Sequence, residues 1–418
     1  MSRILVYTSP ARGHLYPIAP ILQELQRRGH EIALRTLASQ VELMRELGMD
    51  AKPISQRIEQ IELNDYKGRS QPAKGRRALM TFGARAKHEV PDLQAAIAAE
   101  RPAAILVDCM TWGAASVAQA SGRPWAQFVP YPLPVPSRDT PPFGPGFKPA
   151  RGPLGHLRDR AMRPLAAAMF DRTALRSLNA IRAKLGVPAL SSGSDIFALA
   201  PLVLYLTSEP FEYPRSDWPA CVLMVGPCAW DPPGEPPGWL AEIERPLVLV
   251  STSSERQDDR RLVTTALEAF AGEDVEIVAT LPAEGVAGIE APPNAHVEPF
   301  LSHTPLLAKA ACAITHGGAG VTQKALAAGV PVCVVPFGRD QHEIARRVEV
   351  ADAGTRLLAT RLTPQRLRAK VYEAMTKQQA AQRVADAFAA AGGSVAAADA
   401  FEVLMRNASA TRTSFAGA

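Results

Sequence analysis

Short apolar runs alternate with amphipathic helices through the first half of this chain, and the same alternation begins again in the second half. Ile4-Leu5-Val6-Tyr7 is a continuous apolar run, which is typical of a strand buried on both faces. After Pro17, apolar residues recur at helical spacing, which predicts a helix with this proline in its first turn and its end at Gly29. Strands that alternate with helices form parallel sheets, so the pattern predicts an α/β protein.

Two proline-rich stretches divide this pattern. Residues 130–153 are predicted to be irregular, because their prolines disfavour regular structure. Residues 227–246 are predicted to link an N-terminal domain, residues 1–226, to a C-terminal domain, residues 247–407. Residues 408–418 are predicted to be a disordered tail. The predicted fold is two doubly wound, Rossmann-like domains that face each other across a cleft.

The remaining elements follow from the same reasoning. Further strands are predicted at residues 31–36, 104–107, 125–129, 203–206, 222–225, 247–250, 275–279, 312–315 and 332–335. Helices are predicted at residues 113–121, 154–186, 260–270 and 364–407, and near Thr304, Ala319 and Gln341. The last helical stretch is expected to pack on the outside or to cross back to the first domain.

The composition disfavours several classes of protein. A net charge of +5 with dispersed basic residues gives little support for nucleic-acid binding. The five cysteines lack paired spacing, so neither disulfides nor a metal site is predicted. No apolar run approaches the ~20 residues that span a bilayer, and the N-terminus lacks the pattern of a signal peptide. The chain is therefore expected to be cytoplasmic, without stable membrane insertion.

A glycine-rich loop follows one of the predicted strands in the second domain. It reads Thr315-His316-Gly317-Gly318-Ala319-Gly320 and leads into a predicted helix. Free backbone N–H groups and the positive end of the helix dipole would bind a phosphate or diphosphate, and His316 adds a donor. The alternative is a tight strand-to-helix turn with an incidental histidine.

Asp340 and Gln341 also follow a predicted strand and open a predicted helix. A carboxylate beside an amide is suited to bind vicinal hydroxyls, because together they accept and donate hydrogen bonds. The alternative, which is favoured when the position is considered alone, is that Asp340 caps the helix.

His14 and Asp108 each follow a predicted strand of the first domain. The carboxyl ends of neighbouring parallel strands meet at one edge of a sheet, so these side chains are candidates for a dyad. The carboxylate would fix the tautomer of the imidazole and raise its basicity, which suits removal of a proton from a hydroxyl. The alternative is that His14 is an ordinary surface residue of a loop.

These residues together resemble the UDP-glycosyltransferase superfamily, especially its bacterial natural-product and macrolide glycosyltransferases. The resemblance is strongest over residues 297–354, where the glycine-rich loop, Ala328-Gly329-Val330-Pro331 and the Asp-Gln pair keep the family's order and spacing. In the first half it extends to Gly13-His14, Pro17, Asp108 and Val225-Gly226-Pro227. It implies the GT-B fold, with the acceptor bound by the N-terminal domain and the nucleotide sugar by the C-terminal domain.

The resemblance also implies a reaction: inverting, metal-independent transfer of a sugar from a UDP- or dTDP-sugar to a hydroxyl of a small apolar acceptor. The acceptor classes are natural products such as macrolides, polyketides and phenolic compounds, and no cofactor beyond the co-substrate is implied. His14 would be the general base and Asp108 its partner. The implied contacts to diphosphate and sugar are His316, Gly318, Ala319, Gly320, Asp340 and Gln341.

Other contacts are implied with less detail. Those to phosphate, base and ribose are Ser253, Ser254, Phe300, Leu301 and His303. Phe300 stands where many relatives carry a stacking Trp and His303 where many carry Gln, so base and ribose preferences are expected to differ from theirs. The acceptor candidates are Trp112 and Tyr131, with Met80, Phe82 and Phe128 as further apolar side chains, for all of which core packing is an equal alternative.

Three other functions remain open at this point. A sugar-nucleotide epimerase of the same fold would bind the donor and need no acceptor. A non-catalytic donor-binding helper is disfavoured, because both His14 and Asp108 are present. A transferase with a lipid acceptor would work at a membrane surface, but no basic amphipathic helix stands out. The expected partners are small molecules, and the expected state is a monomer or a homodimer.

Overall fold

A computed structural model describes the backbone of residues 1–416 and the side chains of residues 1–408. Two α/β domains follow each other along the chain, and all strand pairs described in either sheet are parallel. The predicted fold class is confirmed. The predicted disordered tail, residues 408–418, is wrong for the described backbone, because a helix (Gly393–Ala416) continues through residues 408–416; residues 417 and 418 lie outside the described residues.

The first sheet has the strand order β3-β2-β1-β4-β5-β6-β7. Its strands are β1 (Arg3–Tyr7), β2 (Glu31–Thr36), β3 (Asp50–Pro53), β4 (Ala104–Asp108), β5 (Trp125–Val129), β6 (Val203–Tyr205) and β7 (Val222–Met224). The helices around it are α1 (Arg12–Arg27), α2 (Val41–Glu46), α3 (Gln56–Glu59), α4 (Gln71–Glu100), α5 (Trp112–Ala120), α6 (Pro153–Phe170) and α7 (Arg176–Lys184).

The second sheet has the strand order β10-β9-β8-β11-β12-β13. Its strands are β8 (Leu247–Ser251), β9 (Glu276–Thr280), β10 (Ala295–Glu298), β11 (Ala310–Thr315), β12 (Val332–Val334) and β13 (Gly354–Arg356). The helices that follow Ser251 are α8 (Arg260–Phe270), α9 (His303–Leu307), α10 (Ala319–Ala327), α11 (Gln341–Val350), α12 (Pro364–Met375), α13 (Gln378–Ala390) and α14 (Gly393–Ala416).

Burial explains which strands the sequence pattern detects. All five residues of β4 and of β8 are buried, because helices cover both faces of each sheet, and both strands were predicted. The strands that the pattern missed, β3, β10 and β13, all lie at a sheet edge. An edge strand is less enclosed, so it needs no continuous apolar run, and none of these three has one.

The start of α1 differs from the sequence-based expectation. The helix begins at Arg12, so Pro17 and Pro20 lie inside it and His14 lies in its first turn rather than in a loop. Pro17 cannot donate to the carbonyl of Gly13, so one bond of the helical ladder is absent there. Burial of Leu15, Ile18 and the apolar residues that follow offsets this loss.

The C-terminal helices join the cores of both domains. Gln378–Ala408 is, among the described residues, the one stretch long and apolar enough by length and composition to cross a membrane. It comprises two helices, α13 and α14, which are separated at Gly392, where φ is +86°. α13 packs on α10, whereas α14 packs on α1 of the first domain and buries Ala398 and Phe401 there. The absence of membrane insertion and the cytoplasmic location stay predictions.

A segment after β6 also reaches across the domain boundary. The ring of Phe211 contacts that of Phe388 in α13, with the centroids 5.7 Å apart. The adjacent carboxylate of Glu212 accepts hydrogen bonds from Arg347 of α11 at 2.8 and 3.1 Å. Both charged side chains are buried, so this ion pair fixes part of the first domain against the second.

Candidate functional site

A cavity of about 1090 Å³ lies between the two domains, and residues of both domains line it. Many of these residues follow the carboxyl ends of strands, where ligands bind in open α/β sheets. The predicted catalytic and nucleotide-sugar contacts all line the cavity except Asp108, and so do the acceptor candidates Trp112 and Tyr131. Asp108 is fully buried and contacts the cavity through His14.

The pairing of β1 with β4 brings His14 and Asp108 together. Tyr7 at the end of β1 lies opposite Val107 in β4, so the residues after both strands reach the same edge. His14 Nδ1 lies 2.9 Å from Asp108 Oδ1. The other carboxylate oxygen, Oδ2, accepts from the backbone N–H and the hydroxyl of Ser9 at 3.0 and 2.6 Å. The carboxylate is therefore held in one orientation, and Nε2 is the nitrogen that remains for a ligand.

The electrostatics of this pair suit a base. Burial opposes charge on the imidazole, but the negative charge of Asp108 and its hydrogen bond prevail and raise the pKa of His14. Burial likewise opposes the carboxylate, and His14, with the bonds from Met110 N–H and Ser9, lowers the pKa of Asp108. The carboxylate thus stays ionised beside an imidazole that is more basic than usual.

The glycine-rich loop connects β11 to α10 on the opposite side of the cavity. Gly317 has a φ of +92°, and a Cβ at this position would lie 2.9 Å from the Cβ of Gln341, so glycine is required there. Gly318 is the N-cap residue of α10, and because it is a glycine no side chain caps the first N–H groups of the helix. The first N–H groups of α10, with the positive end of its dipole, therefore lie at the cavity.

His316 lies beside these N–H groups. Its Nδ1 lies 3.3 Å from the carbonyl oxygen of Ser251 at the end of β8, and a Cβ on Gly318 would lie 2.4 Å from its Nε2. Burial lowers the pKa of His316, so the free protein holds this imidazole neutral. A bound diphosphate would favour the protonated form, in which both nitrogens donate.

Asp340 is the N-cap residue of α11, but its side chain makes no capping hydrogen bond. Only its backbone carbonyl takes part, by accepting from the N–H groups of Glu343 and Ile344. The carboxyl group lines the cavity, and burial raises its pKa. The geometry therefore leaves this carboxyl group available to a ligand.

The side chain of Gln341 is already occupied in this structure. Its Oε1 accepts from the N–H groups of Phe337 and Gly338 at 2.7 and 2.9 Å, and its Nε2 donates to Gln257 at 2.5 Å. Only 2% of the residue is exposed. The contact to sugar hydroxyls implied by the resemblance is therefore not available to Oε1 here, and the amide shapes the loop that carries Asp340.

The remaining donor-side residues surround the far end of the cavity. Phe300 is 46% exposed although it is aromatic, which suits stacking on a ligand ring. His303 Nε2 lies 3.1 Å from the hydroxyl of Thr280, and burial lowers the pKa of His303 to about 4. The residues placed with them around the cavity are Ser253, Ser254 and Leu301, of which Ser253 is buried with its N–H donating to Asp259.

The apolar end of the cavity belongs to the first domain. Tyr131 lies next to His14, with the two ring centroids 5.8 Å apart. Trp112 is fully buried and packs against Phe82 and Phe170, so its ring supports the wall and does not face a ligand. Two other sequence candidates lie elsewhere: Phe128 is in the core on the other face of the sheet, and Met80 is exposed outside the cavity.

One group among the described residues has the spacing of a metal site: ligand atoms of His14, Asp108 and Cys109 lie within 4.8 Å of one another. Burial raises the pKa of the Cys109 thiol well above its ordinary value, so the sulfur stays protonated and binds metals poorly. The Asp108 oxygens already accept bonds from Ser9, His14 and Met110. The arrangement fits a hydrogen-bonded dyad, and metal independence stays a prediction.

Comparison with known proteins now identifies the family. Residues 264–401 match the family described as erythromycin biosynthesis protein CIII-like, C-terminal domain. Across 97% of its length the chain is 32% identical to 4'-demethylrebeccamycin synthase of Lentzea aerocolonigenes, and the alignment covers 100% of that relative. The chain belongs to the bacterial natural-product glycosyltransferases of the GT-B fold.

This glycosyltransferase has other relatives. It is 34% identical over 242 residues to the PGL/p-HBAD biosynthesis rhamnosyltransferase of Mycobacterium bovis (strain BCG / Pasteur 1173P2), covering 56% of this chain and 52% of that one. The solved glycotransferase of kitacinnamycin superimposes with a TM-score of 0.76 at 24% identity, over 97% of this chain and 99% of the other. Glycosyltransferase VinC in complex with DTDP superimposes with a TM-score of 0.72 at 21% identity, over 97% and 100%. Both similarities support the fold.

Sequence reasoning missed several charged residues of this glycosyltransferase's cavity. Arg85 of α4 and Glu255 in the β8–α8 loop both line it. Arg339 forms an ion pair with Asp65 at 3.0 Å, which joins the domains at the cavity wall. Glu255 and Arg339 lie in the loops after β8 and β12 but were not singled out, and α4, which carries Arg85, was not predicted. The available signal was the helical spacing of apolar residues around Arg85, which glycines and a proline interrupt.

Proposed function

We propose that this enzyme transfers a sugar, with inversion, from a UDP- or dTDP-sugar to a hydroxyl of an apolar natural product such as a macrolide, polyketide or phenolic compound. The observation that carries the proposal is that His14 and the His316 loop line one cavity from opposite domains. A proton acceptor and an anion site then lie on the two sides of the bond to be exchanged. The similarity to 4'-demethylrebeccamycin synthase and the dTDP in VinC support this substrate class.

In the proposed mechanism, the first domain activates the acceptor hydroxyl and the second domain stabilises the departing diphosphate. His14 Nε2 removes the proton of the acceptor hydroxyl while Asp108 stabilises the imidazolium that forms. The hydroxyl oxygen attacks the anomeric carbon from the face opposite the nucleotide, and the bond to the diphosphate oxygen breaks. The N–H groups at the start of α10 and a protonated His316 stabilise the charge that develops on the diphosphate. Asp340 accepts hydrogen bonds from sugar hydroxyls and orients the ring.

A thermal-shift screen followed by product analysis tests this function. We expect dTDP or UDP to raise the melting temperature more than GDP, because a ligand that binds only the folded state stabilises it. With the matching nucleotide sugar, a glycosylated product is expected only when a phenolic or macrolide acceptor is added. Isomerised donor in the absence of any acceptor would instead favour an epimerase, and stabilisation without turnover would favour a non-catalytic helper.

The pH dependence tests the base. The neutral form of His14 is the active one, and its pKa is raised above the ordinary 6.5, so kcat/KM is expected to fall as the pH drops through a value above 6.5. In Asp108→Asn, burial still lowers the pKa of His14, but the negative charge that raised this pKa is lost. The acidic limb of the profile should therefore move to lower pH. The profile is measured from about pH 5 to 9. A limb that stays in place would show that another group titrates.

Asp340→Asn separates sugar binding from helix capping. We expect kcat/KM for the nucleotide sugar to fall by about tenfold or more, because a charge-assisted acceptor for sugar hydroxyls is lost. Affinity for the nucleoside diphosphate, measured by calorimetry, should not change. Asn also caps helices well, so the melting temperature should stay close to that of the wild type. A normal kcat/KM in this variant would contradict the proposed contact between Asp340 and the sugar hydroxyls.

A further inference from the structure

Arg85 is a buried cation in the wall of the cavity. The residue is only 8% exposed, yet it lines the cavity together with Ala78 and Phe82 of the same helix. These three positions are spaced i, i+4 and i+7, so one face of α4 presents two apolar side chains and then a guanidinium to the bound molecule.

The charge of Arg85 has no carboxylate partner among the described residues. Its Nε and Nη2 both donate to the carbonyl oxygen of Ile61, at 2.9 and 2.6 Å. A guanidinium carries five N–H donors and stays protonated in proteins, so donors remain for a further acceptor. Burial of a cation without a counter-ion is costly, and burial lowers the pKa of Arg85 accordingly.

Two carboxyl groups lie within electrostatic range, and neither forms an ion pair with Arg85. Glu89, one helical turn further on, accepts from the N–H of Gly113 at 2.8 Å, and burial raises its pKa to about 8, so it is mostly neutral at pH 7. Glu255 also lines the cavity, and burial raises its pKa. The nearby Arg339 is already paired with Asp65. The guanidinium of Arg85 therefore keeps donors that no carboxylate of the described residues occupies.

We propose that Arg85 binds a carboxylate of the acceptor, so that the preferred acceptor is an apolar molecule with an anionic substituent. The donor diphosphate has its own site at the start of α10, in the other domain, whereas Arg85 lies beside the apolar wall that contains Phe82 and Phe170. Arg85 and His14 line the same cavity, so one acceptor that fills it can contact both the guanidinium and the imidazole. A carboxylate matches the planar fork of a guanidinium. This inference rests on the proposed function.

The test compares two probes with the same ring system, 6-hydroxy-2-naphthoic acid, which is anionic at pH 7, and its neutral methyl ester. Their dissociation constants are measured by calorimetry at pH 7 without a donor. We expect the wild type to bind the acid about tenfold or more tightly than the ester, because a charge-assisted pair forms only with the acid. In Arg85→Gln this preference should fall to about one. Arg76→Gln removes the same charge from an exposed position on α4 and should keep the preference.

Each other outcome has a clear meaning. Equal binding of acid and ester by the wild type overturns the inference, as does a preference that survives in Arg85→Gln. A loss of dTDP affinity in Arg85→Gln, with the preference retained, would assign Arg85 to the donor diphosphate. If Arg85→Gln does not fold, Arg85→Lys, which keeps the charge and loses the fork, should show a reduced preference. A failure of the proposed function is distinct: neither probe would be glycosylated, whatever their relative affinities.

Discussion

Replacing His14 by Ala is expected to lower kcat by roughly 10²–10⁴-fold, the usual contribution of a positioned general base. Without the imidazole, water must accept the acceptor's proton, while Asp108 is too buried to replace it. The affinity for the nucleoside diphosphate should persist, because the proposed diphosphate site lies in the other domain. Single-turnover kinetics with the nucleotide sugar chosen by the thermal-shift screen, and calorimetry with the diphosphate, measure the two quantities separately.

His30→Ala is a matched control for this prediction. His30 also pairs with a carboxylate, Glu402 of α14, at 3.0 Å, but it lies outside the cavity. Its loss should lower stability and leave the chemical step unchanged. Full activity of His14→Ala would remove the general-base assignment, and equal losses in both variants would point to a structural cause.

Replacing Glu212 by Gln is expected to lower the free energy of unfolding by about 3–5 kcal/mol, the usual cost of breaking a buried ion pair. Arg347 is 2% exposed and would keep its charge with Glu343 as the remaining partner. The variant also weakens the hydrogen bond from Tyr205. Urea unfolding followed by circular dichroism measures the change, with attention to separate transitions of the two domains.

The pH dependence of stability has a defined sign at this pair. Burial opposes ionisation of Glu212, but Arg347 and Arg215 prevail and lower its pKa below the ordinary 4.5. The stability that ionised Glu212 contributes to the folded protein is therefore fully present above pH 4.5. It is lost as the pH falls through the lowered pKa of Glu212. In the Glu212→Gln variant, the free energy of unfolding should not include this loss at acidic pH.

Two further variants check the interpretation. Glu373→Gln breaks an exposed ion pair with Lys370 in α12, and its effect should stay within about 0.5 kcal/mol. Arg347→Met should also be strongly destabilising, because the buried carboxylates of Glu212 and Glu343 both lose this partner. A Glu212→Gln effect as small as that of Glu373→Gln would contradict the assigned role of the pair.

The fold class and the positions of the strand ends are accessible from the sequence. Strands β1, β4 and β8 each contain four consecutive apolar residues because helices cover both their faces, so the pattern is unambiguous. The contact between His14 and Asp108 could be predicted from the sequence for a related reason. The ends of adjacent parallel strands must lie at one edge, and the structure places the two side chains 2.9 Å apart.

Other features were not accessible in that way. The sequence does not reveal that Trp112 is sealed behind Phe82 and Phe170, because an aromatic residue after a strand is equally suited to a wall or to a pocket surface. The helix α4 was missed as well, and with it Arg85. Its glycines and internal proline weaken the helical pattern, although packing against α5 stabilises the helix in the folded chain.

The order of apolar and polar residues was thus enough to predict two parallel-sheet domains, the cleft between them and the candidate site residues that follow their strands. The folded chain alone settled which polar atoms remain free in that cleft. Gln341 donates to Gln257, 84 positions away, and Glu212 binds Arg347, 135 positions away. Burial acts on every residue of a strand and leaves a periodic record, whereas a single long-range hydrogen bond involves two residues and leaves no pattern along the chain.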